Sequence, residues 1–415
     1  MTLALLGGQP IRSKPFCMFP APSPRALEEI KEVLDSGLWN ALYARRTKHH
    51  EFEESFARLQ RARHAIACAN GTAALKIALR AAGIRAGDEV ITSPYTCWAS
   101  IEAILQVNAV PVFADVAPGT YCLDPNRARE AVTPRTKAIV PVHFGMVADL
   151  DALSDVARER SLVLIEDCAL AHGSEWKGRP IGAIGDLGTF SFGCHKLIQA
   201  GEAGAVVTNR ADLADICRSI VNLGGGQDSS GRLGWNYRLS EILAALLVAQ
   251  LEHAPAECEH REANALYLTA RLNRLPGIAA LDRDPRVTRF GYCWFILRSD
   301  AKLHGIERNT LVKALNAEGI PVTGGYIQEP LSKHGIFRND DTLRCLREPA
   351  GVPAPWAHYH ELRFPATEQA CREGIWLLHP VLLTPREDVH DVVRAFEKVL
   401  ESANRLRSAA PATAD

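Results

Sequence analysis

The sequence predicts an α/β fold, with a mostly parallel central sheet, helices on both of its faces, and a smaller α+β region at the carboxyl end. Two observations carry this prediction. Between residues 64 and 208, short apolar runs of strand length alternate with segments of helical periodicity, which is the pattern of a parallel sheet covered by helices. From residue 287 onward, strand and helix patterns follow each other less regularly. The length of 415 residues allows one large domain and a smaller one.

The elements can be placed in order along the chain. Ser23 and Pro24 form an N-cap followed by proline at the first helical position, and an apolar stripe then continues to Gly37. The other helix candidates are 52–59, 73–82, 98–107, 149–160, a mostly helical stretch over 211–275, 309–317 and 385–403. The strand candidates are 64–69, 89–92, 110–114, 138–142, 162–165, 189–192, 205–208, 292–298 and 320–323.

This order of elements predicts four regions. We expect an extended arm over residues 1–22, which contain four prolines. A large domain over 23–275 and a small domain over 276–405 follow. The Ala-rich residues 406–415 are expected to be a disordered tail.

Composition excludes several classes of protein. The 47 Lys and Arg residues balance 48 Asp and Glu residues without a strongly basic run, so we expect no nucleic-acid partner. Eleven cysteines without a CxxC pair indicate neither a zinc site nor a disulfide framework. The amino terminus lacks the charged region of a signal peptide, and no apolar run is long enough to span a membrane. We therefore expect a soluble, cytoplasmic protein.

Lys196 lies between two strand-like runs, 189–192 and 205–208, rather than on a solvated helix face. Burying a lysine ammonium is costly, and a lysine in such a place can lose its proton and form a Schiff base with a carbonyl. Taken alone, a lysine in a surface loop is the common alternative.

Two further motifs lie where strands are predicted to end, which is where open α/β sheets bind ligands. Asn70-Gly71-Thr72 joins a strand to a helix amino terminus, a natural seat for a phosphate, although a simple helix cap is the commoner interpretation. Asp167 ends a strand and could be a cap, an ion-pair partner, a metal ligand or the partner of a pyridine nitrogen. His143 and His172 have no cysteine or carboxylate cluster at ligand spacing in the sequence, so we expect no metal site, and no nucleophile elbow of a serine hydrolase occurs.

The order of these motifs resembles the DegT/DnrJ/EryC/StrS-type family of pyridoxal phosphate-dependent sugar aminotransferases, which amino-functionalise keto-sugars and keto-cyclitols. The likeness covers about residues 20–400. Its motifs are Asn70 to Leu75, Glu166 to Gly173, Ser191 to Gly204 and Gly234 to Glu241. Gly7 to Pro15 and Trp376 to His379 are similar to the subgroup of scyllo-inosose aminotransferases and 3-amino-5-hydroxybenzoate synthases.

The resemblance implies a fold-type I enzyme that acts as a homodimer and binds pyridoxal 5'-phosphate. It implies that Lys196 is the Schiff-base lysine and Asp167 the partner of the pyridine nitrogen. It also implies that Gly71, Thr72 and Ser191 contact the cofactor phosphate. A further phosphate contact, Asn236, is implied to come from the neighbouring subunit.

Two positions depart from the family pattern. Leu170 stands where the family usually has glutamine or histidine near the cofactor's phenolic oxygen. Cys97 stands where an aromatic residue usually stacks on the cofactor ring. We expect the adjacent Trp98 to supply that stacking if the turn shifts; otherwise the stacking is lost.

The function expected from the resemblance is transfer of an amino group from glutamine or glutamate to a keto-sugar or keto-cyclitol, as in aminoglycoside-type biosynthesis. Two alternatives stay open. The departures at Leu170 and Cys97 would be compatible with a lyase, dehydratase or oxidative enzyme on the same scaffold. A non-catalytic partner subunit is the other alternative, and the intact Lys196 and Asp167 argue against it.

Overall fold

A computed structural model describes residues 2–21, 23–40, 47–225, 231–325, 327–339 and 355–409. The helices are α1 Pro24–Ser36, α2 Lys48–Leu59, α3 Gly71–Ala81, α4 Trp98–Gln106, α5 Pro125–Glu130, α6 Leu150–Arg160, α7 Ala211–Val221, α8 Glu241–Leu251, α9 Ala254–Leu272, α10 Ala301–His304, α11 Arg308–Ala317, α12 Pro365–Glu373, α13 Arg386–Glu401 and α14 Ala403–Ala409.

The strands within the same residues are β1 His64–Cys68, β2 Glu89–Thr92, β3 Val110–Phe113, β4 Thr136–Val140, β5 Val163–Asp167, β6 Glu175–Trp176, β7 Arg179–Pro180, β8 Leu187–Ser191, β9 Gly204–Thr208, β10 Ile278–Ala280, β11 Val287–Arg289, β12 Trp294–Ser299, β13 Val322–Thr323 and β14 Gly374–Leu378.

The central sheet has the strand order β1-β9-β8-β5-β4-β2-β3. Strand β9 runs antiparallel to both of its neighbours, and the other neighbouring strands pair in parallel. The predicted α/β class with a mostly parallel sheet is therefore confirmed. Because β1, β5 and β8 run in the same direction, their carboxyl ends meet at one edge of the sheet.

Both faces of this sheet are buried, which explains why its strands are continuous apolar runs. Side chains of one strand alternate between two apolar clusters. In β1, Ile66 joins the cluster formed with α3 and α7, whereas Ala65 and Ala67 join the cluster on the opposite face. The second cluster contains Phe52 and Phe56 of α2, both fully buried, and this accounts for the helical spacing seen in the sequence.

The carboxyl-terminal part contains a sheet of strand order β10-β12-β14-β13, in which the neighbouring strands are antiparallel. A small sheet of order β11-β6-β7 joins it to the segment after β5. The sequence patterns did not predict α5, α10, α12, β6, β7, β10, β11 or β14. Five of these eight elements have only two to four residues, too few to show a periodicity.

The amino-terminal arm packs on the carboxyl-terminal elements. Arg12 is buried and makes ion pairs with Asp388 and Asp391 of α13. The carboxylate of Glu318 accepts hydrogen bonds from the backbone N–H groups of Ala4 and Ile11. Ion pairs and hydrogen bonds to side chains, rather than strand pairing, therefore attach the arm.

The last helix, α14, includes residues 406–409, which the composition predicted to belong to a disordered tail. Residues 410–415 lie outside the described residues. The predicted domain boundaries at residues 22, 275 and 405 stay predictions. Among the helices that the structure describes, none has both the length and the apolar character needed to cross a bilayer.

Candidate active site

The residues singled out at strand ends line one cavity of about 450 Å³. Its walls come from the segment after β1, the end of β5, the end of β8 and the loop that follows β8. Gly71, Thr72, Asp167, Ser191 and Lys196 all line this cavity. The structure thus brings together five of the seven predicted site residues.

The start of α3 forms an anion seat, by which we mean the free backbone N–H groups of Gly71 and Thr72 beside the hydroxyl of Ser191. Asn70 is the N-cap, and its side chain accepts a hydrogen bond of 2.8 Å from the N–H of Ala73. Among the described residues no acceptor binds the N–H groups of Gly71 and Thr72. Such free donors at a helix amino terminus attract a negatively charged group.

Close packing builds this seat from separate elements. A Cβ on Gly71 would lie 2.9 Å from the Ser191 Oγ, so only glycine lets the helix start approach the end of β8. At Gly204 a Cβ would lie 2.2 Å from the Asn70 carbonyl oxygen. Gly71 is required by the close approach of the Ser191 side chain, and Gly204 by the close approach of the Asn70 backbone.

Asp167 is the last residue of β5 and is buried. Its carboxylate accepts hydrogen bonds from the Ser100 hydroxyl at 2.8 Å and from the N–H of Ala169 at 3.1 Å. Burial raises the pKa of Asp167, while the hydrogen bonds from Ser100 and Ala169 oppose that rise. A carboxylate in this environment gains most from a positively charged hydrogen-bond donor placed in the cavity.

Ser100 is a residue that sequence reasoning missed. It is buried on α4, and its hydroxyl also pairs with that of Thr96 at 2.9 Å. Thr96 and Ser100 are four residues apart at the start of a predicted helix, which is the spacing of side chains that meet. This spacing was the available signal, but only the fold shows that the pair faces Asp167.

Lys196 is half-buried in the loop after β8. Within the described part of the chain its Nζ has no hydrogen-bond or ion-pair partner. The preceding residue, His195, has a left-handed φ of 66°, and its carbonyl accepts a hydrogen bond from the Cys293 thiol at 3.2 Å. The lysine is therefore held on a constrained loop, and its amine lines the cavity without a partner from the residues that the structure describes.

Trp98 is not brought into this cavity. Cys97, which is the N-cap of α4, and Ala99 line the cavity, whereas Trp98 is not among the lining residues. The Trp98 ring packs edge-on against His334 and against the apolar cluster that contains Phe113. This placement does not agree with the expectation that Trp98 stacks on the cofactor ring. Leu170, at the position where the family usually has glutamine or histidine, does line the cavity.

Asn236, the seventh predicted residue, lies away from the cavity of its own chain. It is exposed and forms an isolated bridge with Asn222. The residues on either side, Trp235 and Tyr237, stack at 5.9 Å between ring centroids. An outward-facing position is compatible with contact to another subunit.

Behind Asp167 lies a buried group of potential metal ligands, whose ligand atoms all lie within 4.8 Å of one another: His143, Glu166 and Cys168. Glu166 accepts hydrogen bonds from three backbone N–H groups, and His143 Nδ1 accepts one from the N–H of Ala148. Burial opposes ionisation, but the hydrogen bond from His143 and those from the backbone lower the pKa of Glu166. These groups are satisfied within the fold and fix the end of β5.

Residues 22–397 match the profile of the DegT/DnrJ/EryC1/StrS aminotransferase family. The chain belongs to this family. A Streptoalloteichus tenebrarius protein provisionally named L-glutamine:3-amino-2,3-dideoxy-scyllo-inosose aminotransferase is 40% identical, over 98% of this chain and 99% of its own. The Streptomyces griseus L-glutamine:scyllo-inosose aminotransferase is 37% identical, over 98% of this chain and 99% of its own.

Solved structures agree with this assignment. The crystal structure of 3-amino-5-hydroxybenzoic acid synthase is 30% identical to this aminotransferase, with a TM-score of 0.82 over 95% of this chain and 100% of its own. The fold is that of the pyridoxal phosphate-dependent aminotransferases. The predicted family and enzyme class are confirmed.

Proposed function

We propose that this aminotransferase binds pyridoxal 5'-phosphate in the cavity at Lys196 and transfers an amino group from L-glutamine to the keto group of a cyclitol. The observation that carries the proposal is that Lys196, a buried carboxylate and the anion seat share one cavity, where the amine and the seat have no partner among the described residues. Each of these three groups has a matching counterpart on the cofactor.

The residues present fit the cofactor. The free N–H groups of Gly71 and Thr72 and the Ser191 hydroxyl are donors for its phosphate, and an alanine at position 71 would fill this space. Asp167 would pair with the protonated pyridine nitrogen, which suits a buried carboxylate held by Ser100. The Lys196 amine would bind the cofactor covalently at its carbonyl carbon.

The bound cofactor supplies a carbonyl that accepts the amino group and a ring that takes up negative charge. The protein supplies the remaining parts. The Lys196 amine, once free, would act as the base that takes the proton from the donor's α-carbon and as the acid that returns it. Asp167 would keep the ring nitrogen protonated, and the anion seat would orient the bound group toward Lys196.

The substrates are proposed from the relatives. Proteins 36–40% identical over nearly the whole chain are named L-glutamine aminotransferases of scyllo-inosose or its deoxy and amino derivatives. We extend this donor and this class of acceptor to the present chain. The class of pathway that uses such products is aminoglycoside-type biosynthesis.

The proposal includes a homodimer in the cytoplasm. The outward placement of Asn236 supports a contact with the phosphate bound by a second copy of the chain. All ten cysteines in the described residues are free thiols, as is usual in a reducing compartment.

The test begins with borohydride reduction of the protein incubated with pyridoxal phosphate. Peptide mass analysis is expected to find the cofactor fixed on Lys196. Lys196→Ala should abolish amino transfer from glutamine to scyllo-inosose, whereas the exposed Lys137→Ala should leave it unchanged. Normal transfer by Lys196→Ala would overturn the proposal.

The same assay separates the alternatives. A panel of keto-cyclitols and keto-sugars is offered with glutamine, and the amine product, the release of water and the consumption of oxygen are measured. Water release without an amine product would favour a dehydratase, and oxygen consumption an oxidative enzyme. Failure to bind pyridoxal phosphate would favour a non-catalytic partner subunit.

A further inference from the structure

Lys76 is a buried lysine on α3, one helical turn after Thr72 of the anion seat. The residue is 8% exposed. Its Nζ lies 4.1 Å from the centroid of the Trp235 ring and 3.2 Å from the Tyr237 hydroxyl, to which it donates a hydrogen bond. Within the described residues, no carboxylate lies within 4 Å of this ammonium.

The two rings therefore take the place of a counter-ion. A desolvated ammonium without a partner is strongly unfavourable, and the faces of aromatic rings compensate for part of that cost. The ring of Trp235 contacts Lys76 directly, and the Tyr237 ring centroid lies 5.7 Å away. Replacing the charge removes one of the contacts that hold these rings at α3, beside their packing on the apolar cluster of α3 and α7.

Tyr237 connects Lys76 to the anion seat through two hydrogen bonds. Its hydroxyl is bound to Lys76, and its backbone carbonyl accepts a hydrogen bond of 2.8 Å from the N–H of Ala69. Ala69 directly precedes Asn70, the N-cap whose side chain orders the first turn of α3. A continuous path of contacts thus connects Lys76 through Tyr237 and Ala69 to the free N–H groups of the seat.

The same segment is held from its other side by α7. The N–H of Trp235 donates to the Ile220 carbonyl at 2.8 Å, and the N–H of Tyr237 donates to the Val221 carbonyl at 3.0 Å. These bonds fix the backbone of the segment, while its rings are held by the apolar cluster of α3 and α7 and by Lys76. The exposed Asn236 lies between the two rings.

We propose that Lys76 is a positioning residue for phosphate binding, acting through Tyr237 on the turn that precedes α3. The inference rests on the proposed function, because it takes the anion seat as the site of the cofactor phosphate. Because this path ends at the anion seat, replacing Lys76 is expected to weaken binding of the phosphate group in particular. A lysine that only stabilised the fold would affect every ligand of the cavity alike.

The experiment compares pyridoxal 5'-phosphate with pyridoxal, which lacks the phosphate, as ligands of the full-length chain. We expect Lys76→Met to weaken pyridoxal phosphate binding about tenfold and to change pyridoxal binding by less than about twofold. Lys76→Arg retains the charge and should bind both ligands as the unaltered chain does. Equal losses for both ligands, or no loss for either, would overturn the role of Lys76.

A second variant covers the case in which Lys76→Met does not fold. Tyr237→Phe keeps the ring and removes only the hydroxyl that Lys76 binds. It should show a smaller loss of about threefold, again confined to pyridoxal phosphate. If the unaltered chain binds no pyridoxal phosphate, the proposed function fails and this inference fails with it; normal binding with equal losses in the variants contradicts only the inference.

Discussion

Gly71 and Ser191 approach each other so closely that a Cβ on the glycine would stand 2.6 Å from the Cβ of the serine. They belong to α3 and β8, which are distant in sequence. Their contact places backbone donors of a helix beside a hydroxyl at a strand end. The anion seat exists because two elements meet at this point.

Gly71→Ala is expected to weaken pyridoxal phosphate binding by about tenfold or more, because the added methyl group must push α3 away from β8. The measurement is a spectral titration with the cofactor. Gly335→Ala is the matched control, since a Cβ there meets nothing within 4 Å. Equal affinities of the two variants would show that the seat does not hold the phosphate.

Asp167→Asn keeps the shape of the side chain and removes its charge. We expect the cofactor still to bind and the rate of amino transfer to fall by about a hundredfold or more, because an amide cannot keep the ring nitrogen protonated. Steady-state kinetics with the loaded variant provide the measurement.

Ser100→Ala serves as the graded comparison for Asp167→Asn. It removes one hydrogen bond from the carboxylate but leaves the charge, so the rate should fall by about tenfold or less. A larger effect for Ser100→Ala than for Asp167→Asn would contradict the role given to the carboxylate.

Trp98→Leu should lower the free energy of unfolding by about 1–3 kcal/mol, because the ring packs on His334 and the Phe113 cluster. Cofactor affinity should change by less than about twofold, since Trp98 does not line the cavity. Denaturant unfolding and the cofactor titration measure the two effects separately.

Cys97→Phe is the counterpart of that variant. Because Cys97 does line the cavity, an aromatic ring at this position should alter the absorbance of the bound cofactor. A loss of cofactor affinity in Trp98→Leu together with an unchanged spectrum in Cys97→Phe would reverse the assignment of these two neighbours.

His172 is expected to make the fold sensitive to mild acid. Burial, aided by the charges of Lys196 and Arg261, lowers the pKa of His172 to about 3. Between the ordinary histidine pKa of about 6.5 and that value, the unfolded chain binds a proton that the folded chain does not. Stability is therefore lost as the pH falls below about 6.5.

His172→Gln removes this contribution and should reduce the loss of unfolding free energy between pH 7 and pH 5 by about 2 kcal/mol. Denaturant unfolding at both values measures it. The exposed His358→Gln is the control for the substitution of a histidine by glutamine. Identical pH dependence of the unaltered chain and His172→Gln would show that the imidazole does not stay neutral in the fold.

The sequence predicted the elements whose signals are local. Helix α1 begins after Ser23, whose side chain accepts a hydrogen bond from the N–H of Ala26, and ends at Gly37 with a left-handed φ of 66°. The prediction for β2, residues 89–92, matches the observed strand. The small β11-β6-β7 sheet escaped prediction because its strands derive their order from pairing between distant segments.

By itself, the sequence determined the α/β order and the strand-end positions of Asn70-Gly71-Thr72, Asp167 and Ser191, because caps, turns and apolar runs act over a few residues. Only the tertiary structure decided that Cys97 rather than Trp98 faces the cavity and that Ser100 supports Asp167. Successive residues at a helix start point about 100° apart. Which of them turns inward depends on how α4 packs against the rest of the molecule.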